Sequence, residues 1–351
     1  MMSVTDESAP LSSVNFCASG LVRPECVLAH RSGLLFAADW TGPGGVTVID
    51  PRSGKTRRHL ARTWDGAPLK PNGILLEESG AFLITHLGDS DGGVFRLWPD
   101  GRVEPVLTAI AGRPLPPTNF VARDAAGRLY VTVSTLHTPR HLAARPEVAD
   151  GFIAMLPLDG PARIVAKGLG YTNECLFSAD GGTLYVNETF ARRTSAFSVT
   201  DDGRLVNPTV FARYGDGIYP DGLALDASGA LIVVSIISNS VLQVTADGPR
   251  TLLLQDRDAA RVAAVETAYL GGSLSRDLLD APHAGPLKNI SSIAFGGPDM
   301  RTAFLGCLLG DRIAHFETPF AGHVPPHYDY DLSPLVAAGL VDGTIEEGLR
   351  L

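Results

Sequence analysis

Along the chain, short apolar runs alternate with polar or small positions and close on glycine-bearing turns, and the same run returns six times. The copies are RPECVLAHRSG (23–33), KPNGILLEESG (70–80), PTNFVARDAAG (117–127), YTNECLFSADG (171–181), YPDGLALDASG (219–229) and the weaker NISSIAFGGPD (289–299). A second β-rich run follows each turn: LLFAAD, AFLITH, RLYVTV, TLYVNE, ALIVVS and TAFLGC. A third comes later in each unit (GVTVID, GVFRLW, GFIAML, TSAFSV, SVLQVT, RIAHFE), and fourth strands are expected at VEPVL, ARIVA and TLLLQ. Units of four short strands at spacings of 47, 47, 54, 48 and 70 residues predict an all-β fold, a six-bladed β-propeller of four-stranded antiparallel blades. The sixth unit lacks an outer strand at its C-terminal end. The N-terminal segment SVNFCASG is expected to supply it and close the ring.

The repeat makes the 351-residue chain one propeller domain, 1–351, with blades from about 22, 69, 116, 170, 218 and 288. Extra residues fall at 135–150 and 256–287. Both insertions leave the sheets on the side where each first strand begins, so they are expected at that mouth of the channel. AARVAAVETAYL within the second has helical spacing and predicts a short helix, which could act as a lid, form a dimer contact or be mere decoration. The tail, 318–351, lies outside the repeat and could cap the mouth or coat a blade edge.

Eight positions before each turn glycine, the first five units carry Glu25, Asn72, Asn119, Asn173 and Asp221, and the sixth carries Ser291. Asn and Asp often start strands as turn residues. Their recurrence in one register instead predicts a ring around the channel, since first strands line it. Two carboxylates and several amide oxygens form a hard, all-oxygen donor set suited to one divalent cation. Ca²⁺ is the first expectation, with Mg²⁺ or Mn²⁺ as alternatives and Zn²⁺ disfavoured without a thiolate or imidazole in the ring.

Composition narrows the partners. A net charge of −9, with no Lys/Arg-rich face, argues against nucleic acid. No apolar run reaches membrane-spanning length, and no basic leader precedes an apolar core, so no membrane partner and a cytoplasmic setting are expected. Cys17, Cys26, Cys175 and Cys307 lack CxxC spacing and are expected as buried thiols. A small-molecule substrate remains the expected partner, with monomer or homo-oligomer undecided. No GxSxG elbow and no phosphate-cradling GxxxxGK[ST] occurs.

YTNECLFSADGGTLYVNETFARR, YPDGLALDASGALIVVS and IAFGGPDMRTAFLG resemble the senescence marker protein/gluconolactonase family of sugar lactonases, over roughly residues 20 to 320. The resemblance implies a metal-dependent lactonase whose ion is held by Glu25, Asn173 and Asp221, with Asn119 near the metal and touching substrate. Asn72 and His86 resemble the second-blade part of bacterial gluconolactonase pockets. The third-blade Asn is commonly followed by Asp and the fourth-blade Asn by Gly; here Phe120 and Glu174 follow. The expected proton carriers are therefore Asp221, His86 and Glu174, and His137 on the third-blade loop is an expected substrate contact. The alternatives are an esterase, organophosphatase or non-hydrolytic enzyme on the same scaffold, or a ligand-binding propeller without catalysis.

Overall fold

The computed structural model describes residues 5–62, 66–245, 251–281 and 283–342. Six four-stranded antiparallel blades surround one channel. Their first strands are Val27–Ala29, Pro71–Leu76, Thr118–Arg123, Thr172–Phe177, Pro220–Leu225 and Ile290–Gly296. Each lies against the next, and the last against the first, so the ring is closed. Closure in blade six is made as expected by Asn15–Cys17, which pairs with Ile313–Glu317, Asn15 opposite His315. Two small additions carry no repeat signal: Thr5–Asp6 adds in parallel to Thr251–Gln255, and Ala109–Ile110 pairs with Arg113–Pro114.

Blades stack face to face, which explains the composition of their strands. The second strands Leu35–Asp39, Phe82–Leu87 and Leu231–Ser235 are buried at every position and are almost wholly apolar. The outer strand Lys55–Leu60 is exposed over its first four residues and reads KTRRHL. Between blades one and two, Phe36, Ile74, Phe82 and Leu97 form one core, with the Phe36 and Phe82 rings 5.3 Å apart. Ile232, Val241, Leu254, Ile293 and Phe316 do the same between blades five and six. All four cysteines are buried and unpaired.

The insertion helix forms as Ala259–Leu270, capped by the Asp258 carboxylate accepting from the Arg261 amide. It docks through Glu266, which accepts from Arg192 Nη1 at 2.9 Å and from the Gly217 amide at 2.7 Å. The tail crosses the propeller's other face, and its end reaches the edge of blade one, where Arg57 of Lys55–Leu60 donates to Gly339 O. Up to residue 342 it runs over the turns joining first to second strands, on the face away from the ring: Arg31 N donates to Tyr328 O, Ala227 N to Ala321 O and His323 N to Leu225 O. Leu332, Leu335 and Leu340 sink into the core of blades one and two. Residues 343–351 of the tail lie outside the described residues. Among the described residues, no helix is long and apolar enough to cross a membrane.

Candidate cation site at the channel mouth

In blades two to six, the pairing of first and second strands slips where the ring residue stands. The slips fall between Pro71 and Ile74, Thr118 and Phe120, Thr172 and Cys175, Pro220 and Leu223, and Ile290 and Ser292. A bulge of this kind releases a residue from the ladder and re-aims its side chain. Glu25, Asn72, Asn119, Asn173, Asp221 and Ser291 are all buried. In blade five the residue after the ring position must be glycine: a Cβ on Gly222 would stand 2.5 Å from Ser291 O and 2.6 Å from Ser292 Cα of blade six.

Glu25, Asn119, Asn173 and Asp221 line one cavity of ≈ 50 Å³, together with Arg23, Arg140, Tyr171, Arg276, Asp280 and Asn289. A larger cavity of ≈ 470 Å³ beside it runs over blade six and shares Arg23 and Leu308. Its single carboxylate, Asp311, is exposed, so the ionic chemistry is concentrated in the smaller one.

The ring's amides are committed on one side only. Asn173 Nδ2 donates to Thr189 Oγ1 at 3.0 Å, Asn119 Nδ2 to Ser134 Oγ at 3.2 Å, and Asn72 Nδ2 to the Asn119 carbonyl at 3.0 Å. The Oδ1 atoms of all three are buried without a hydrogen-bond partner. Buried acceptors are rarely left so, and each orphan marks a place for a missing donor or cation. With the carboxylates of Glu25 and Asp221, the Asn119 and Asn173 oxygens on the same cavity wall make the hard oxygen set that a divalent cation takes. Among the described residues, no three His, Cys, Asp or Glu side chains group to hold a metal, so any such site depends on these amide oxygens.

Burial and the neighbouring Glu25 carboxylate push the Asp221 carboxyl well above its ordinary range, against the opposing pull of Arg23 and Arg140. Glu25 accepts from Arg23 Nε at 2.9 Å, and that guanidinium lies over Trp40, 4.7 Å from the ring centroid. Glu174 is buried and pushed up by desolvation; its carboxylate accepts from the Leu223 amide at 2.9 Å. It lies outside the cavity lining, as does Asn72.

Neither expected histidine reaches the cavity. His86 is buried, with Nδ1 accepting from the Lys70 amide at 2.9 Å and Nε2 3.5 Å from Asp91 Oδ2; burial lowers its pKa. His137 is half-exposed, with Nδ1 2.9 Å from Asp150 Oδ2. It therefore ties together the two ends of the 135–150 loop, which is the segment that brings Arg140 to the cavity.

Arg23, Tyr171 and Asn289 were not foreseen, yet they share a place in the repeat. Each stands two residues before a ring residue, and each has a positive φ (52°, 66° and 54°). Left-handed backbone is uncommon for bulky residues and recurs where a site over-determines the chain. Arg140 and Arg276, from the two insertions, carry no such repeat. Their presence on the wall places both insertions at the ring's mouth, as the topology requires.

The fold and ring thus define a six-bladed propeller with an all-oxygen site at one mouth of its channel. The chain belongs to the SMP-30/gluconolactonase/LRE-like family, whose region matches residues 23–265, more than half of its length. It is 23% identical over 222 residues to lactonase drp35 of Staphylococcus aureus, covering 60% of this chain and 63% of that protein. It therefore spans less than two thirds of the length of the curated relatives it matches. Among solved structures, a gluconolactonase of Xanthomonas campestris is similar at 21% identity with a TM-score of 0.63, over 90% of this chain and 97% of that one. Regucalcin of Agrobacterium tumefaciens, described as a calcium-binding protein, is similar at 17% identity with a TM-score of 0.60, over 93% and 99%. At these identities the two structures speak to the fold.

Proposed function

We propose that this protein hydrolyses a lactone with the help of one divalent cation held by Glu25, Asn173 and Asp221. The observation that carries the reading is the convergence of partnerless amide oxygens with two carboxylates in one ring. The names of its lactonase and gluconolactonase relatives support the same class. Ca²⁺ fits the oxygen donors best, with Mg²⁺ and Mn²⁺ next and Zn²⁺ least favoured.

When bound, such an ion supplies Lewis-acid polarisation of the ester carbonyl and positive charge for the oxyanion. The chain's own side chains do the rest. Asn119 keeps Oδ1 free to accept from a substrate donor, because its Nδ2 is held by Ser134. Asn72, outside the cavity lining, fixes the neighbouring backbone by donating to the Asn119 carbonyl. Asp221 takes the proton lost by the attacking water, being on the cavity wall, whereas Glu174 is engaged with Leu223 and His86 stays outside. Arg276, Leu279 and Asp280, which follow helix Ala259–Leu270 in the second insertion, wall the site and limit access of bulk water.

The test is hydrolysis of a panel of γ- and δ-lactones before and after chelation, followed by re-addition of Ca²⁺, Mg²⁺, Mn²⁺ or Zn²⁺. Turnover lost on stripping and restored by one ion is the expected result. Undiminished turnover by demonstrably stripped protein would rule out the cation's role. Cation binding with no lactone opened would favour an esterase, an organophosphatase or a ligand-binding propeller.

A further inference from the structure

Three arginines line the ring cavity, and two of them are already matched. Arg23 is paired with Glu25 at 2.9 Å, and Arg276 with Asp280 at 2.5 Å. Arg140 is different: among the described residues its guanidinium has no ion pair and no hydrogen bond, and it acts on the Asp221 and Asp89 carboxylates only through space. It is not a loose surface side chain carried past the site by chance. The loop that bears it is closed at its base by Thr135 Oγ1 donating to Asp150 Oδ1 at 2.6 Å, by the Leu136 amide donating to Asp150 Oδ2 at 3.1 Å, and by His137. Beyond Arg140, Ala144 is fully buried in the cluster of Phe190, Tyr219 and Val262. Arg140 is therefore presented from a seat fixed at both ends, which lowers the ordering cost of a contact made by its planar fork.

Charge counting shows what that fork awaits. The wall holds Arg23, Arg140 and Arg276 against Glu25, Asp221 and Asp280, three cations against three carboxylates. With Asp221 ionised, as a cation beside it would hold it, the wall's own charges balance. A divalent cation in the ring adds two positive charges to a partly desolvated cavity, where unmatched charge is costly. A neutral lactone leaves that excess in place, whereas a ligand with its own acid group reduces it.

We propose that Arg140 is a specificity residue that reads a carboxylate on the substrate, so that the lactone opened here bears an acid group beside its ring. The proposal deepens the lactone-hydrolase reading and rests on it for the ring. A bidentate guanidinium–carboxylate contact supplies the recognition. A carboxylate is favoured over a larger dianion because only one guanidinium on the wall is free.

The test uses non-hydrolysable ring mimics, tetrahydrofuran-2-carboxylate and tetrahydrofuran-2-carboxamide, titrated calorimetrically into the full chain with Ca²⁺ and again in chelator. Charge-assisted hydrogen bonds of this kind correspond to roughly tenfold or greater discrimination. Wild type is expected to bind the carboxylate at least about tenfold tighter than the carboxamide. In chelator, where no ion draws the acid group, Arg140→Gln is expected to abolish that preference while binding the carboxamide normally, and Arg140→Lys to keep part of it. Circular dichroism of both variants checks that they fold. Equal binding of the two mimics by wild type, or a preference that survives in chelator in folded Arg140→Gln, would overturn the proposal. Loss of the preference in Arg140→Gln, with no lactone opened by wild type, would uphold Arg140 as the acid reader and sink the hydrolytic reading. Equal kcat/KM for acidic and neutral lactones would do the opposite.

Discussion

The Glu174 carboxylate of blade four accepts a hydrogen bond from the Leu223 amide of blade five at 2.9 Å, Glu174 standing one residue along its strand from Asn173 and Leu223 two from Asp221. Burial pushes this carboxyl well above the ordinary carboxylate range, which favours its protonated form in the cation-free protein. Glu174→Gln should then change cation-free stability by less than ~1 kcal/mol, because the amide keeps the acceptor and removes no charge. Glu174→Ala should cost about 2–4 kcal/mol through the void and the orphaned Leu223 amide. Urea unfolding in chelator measures both. A large loss in Glu174→Gln would show the group to be ionised.

Gly222 permits blade six to approach blade five next to Asp221. Gly222→Ala should destabilise by about 1–3 kcal/mol, since the atoms its methyl would meet are backbone and cannot rotate away. Thermal unfolding reads the loss. Divalent-cation affinity should fall as well, because relief of the clash must shift the strand that carries Asp221.

The register of the ring was legible in the sequence because one side chain per repeat escapes the apolar pattern, and six copies average out local accident. The bulge that aims Asp221 was not legible, since a slipped ladder leaves no mark in hydrophobic periodicity. The left-handed residues Arg23, Tyr171 and Asn289 each open their copy of the repeat, but the residue type at that position changes from copy to copy and so marks no backbone conformation. Arg140 was not legible either: it stands once, on a loop whose course is set by Asp150 and by the packing of Ala144. His86 and His137 attracted attention as chemistry-bearing residue types, yet the partners that occupy their nitrogens are backbone and loop groups. The tail's course depends on apolar contacts of Leu332, Leu335 and Leu340 with distant blades, which a local pattern does not specify.

Glu266 joins the insertion helix to blade four through Arg192 and to the blade-five entry through the Gly217 amide. Glu266→Ala removes both and leaves a partly buried guanidinium with less compensation. Helix Ala259–Leu270 should then open more readily, by about 2 kcal/mol in local stability. Hydrogen exchange across 259–270 should accelerate on that scale, with the blade cores unchanged.

His59 lies buried between blades one and two, where desolvation lowers its pKa to about 4 from 6.5. A base with a depressed folded pKa contributes full stability above the unfolded value and loses it as pH falls from 6.5 toward 4. The unfolded chain binds the extra proton in that window. At pH 5 this loss amounts to roughly 2 kcal/mol. His59→Leu should flatten the fall in urea midpoint between pH 7 and pH 5 by that amount, while the remaining buried histidines keep the rest.

The most direct measurement is a calorimetric titration of Ca²⁺ into metal-stripped wild type, Glu25→Gln and Asp221→Asn, each verified as folded. One site per chain in wild type, weakened at least about a hundredfold in both variants, is the expected result, since each substitution removes one of two anionic ligands. Undiminished binding in both variants, or no binding by wild type of Ca²⁺ or any of Mg²⁺, Mn²⁺ and Zn²⁺, would contradict a cation held between Glu25 and Asp221.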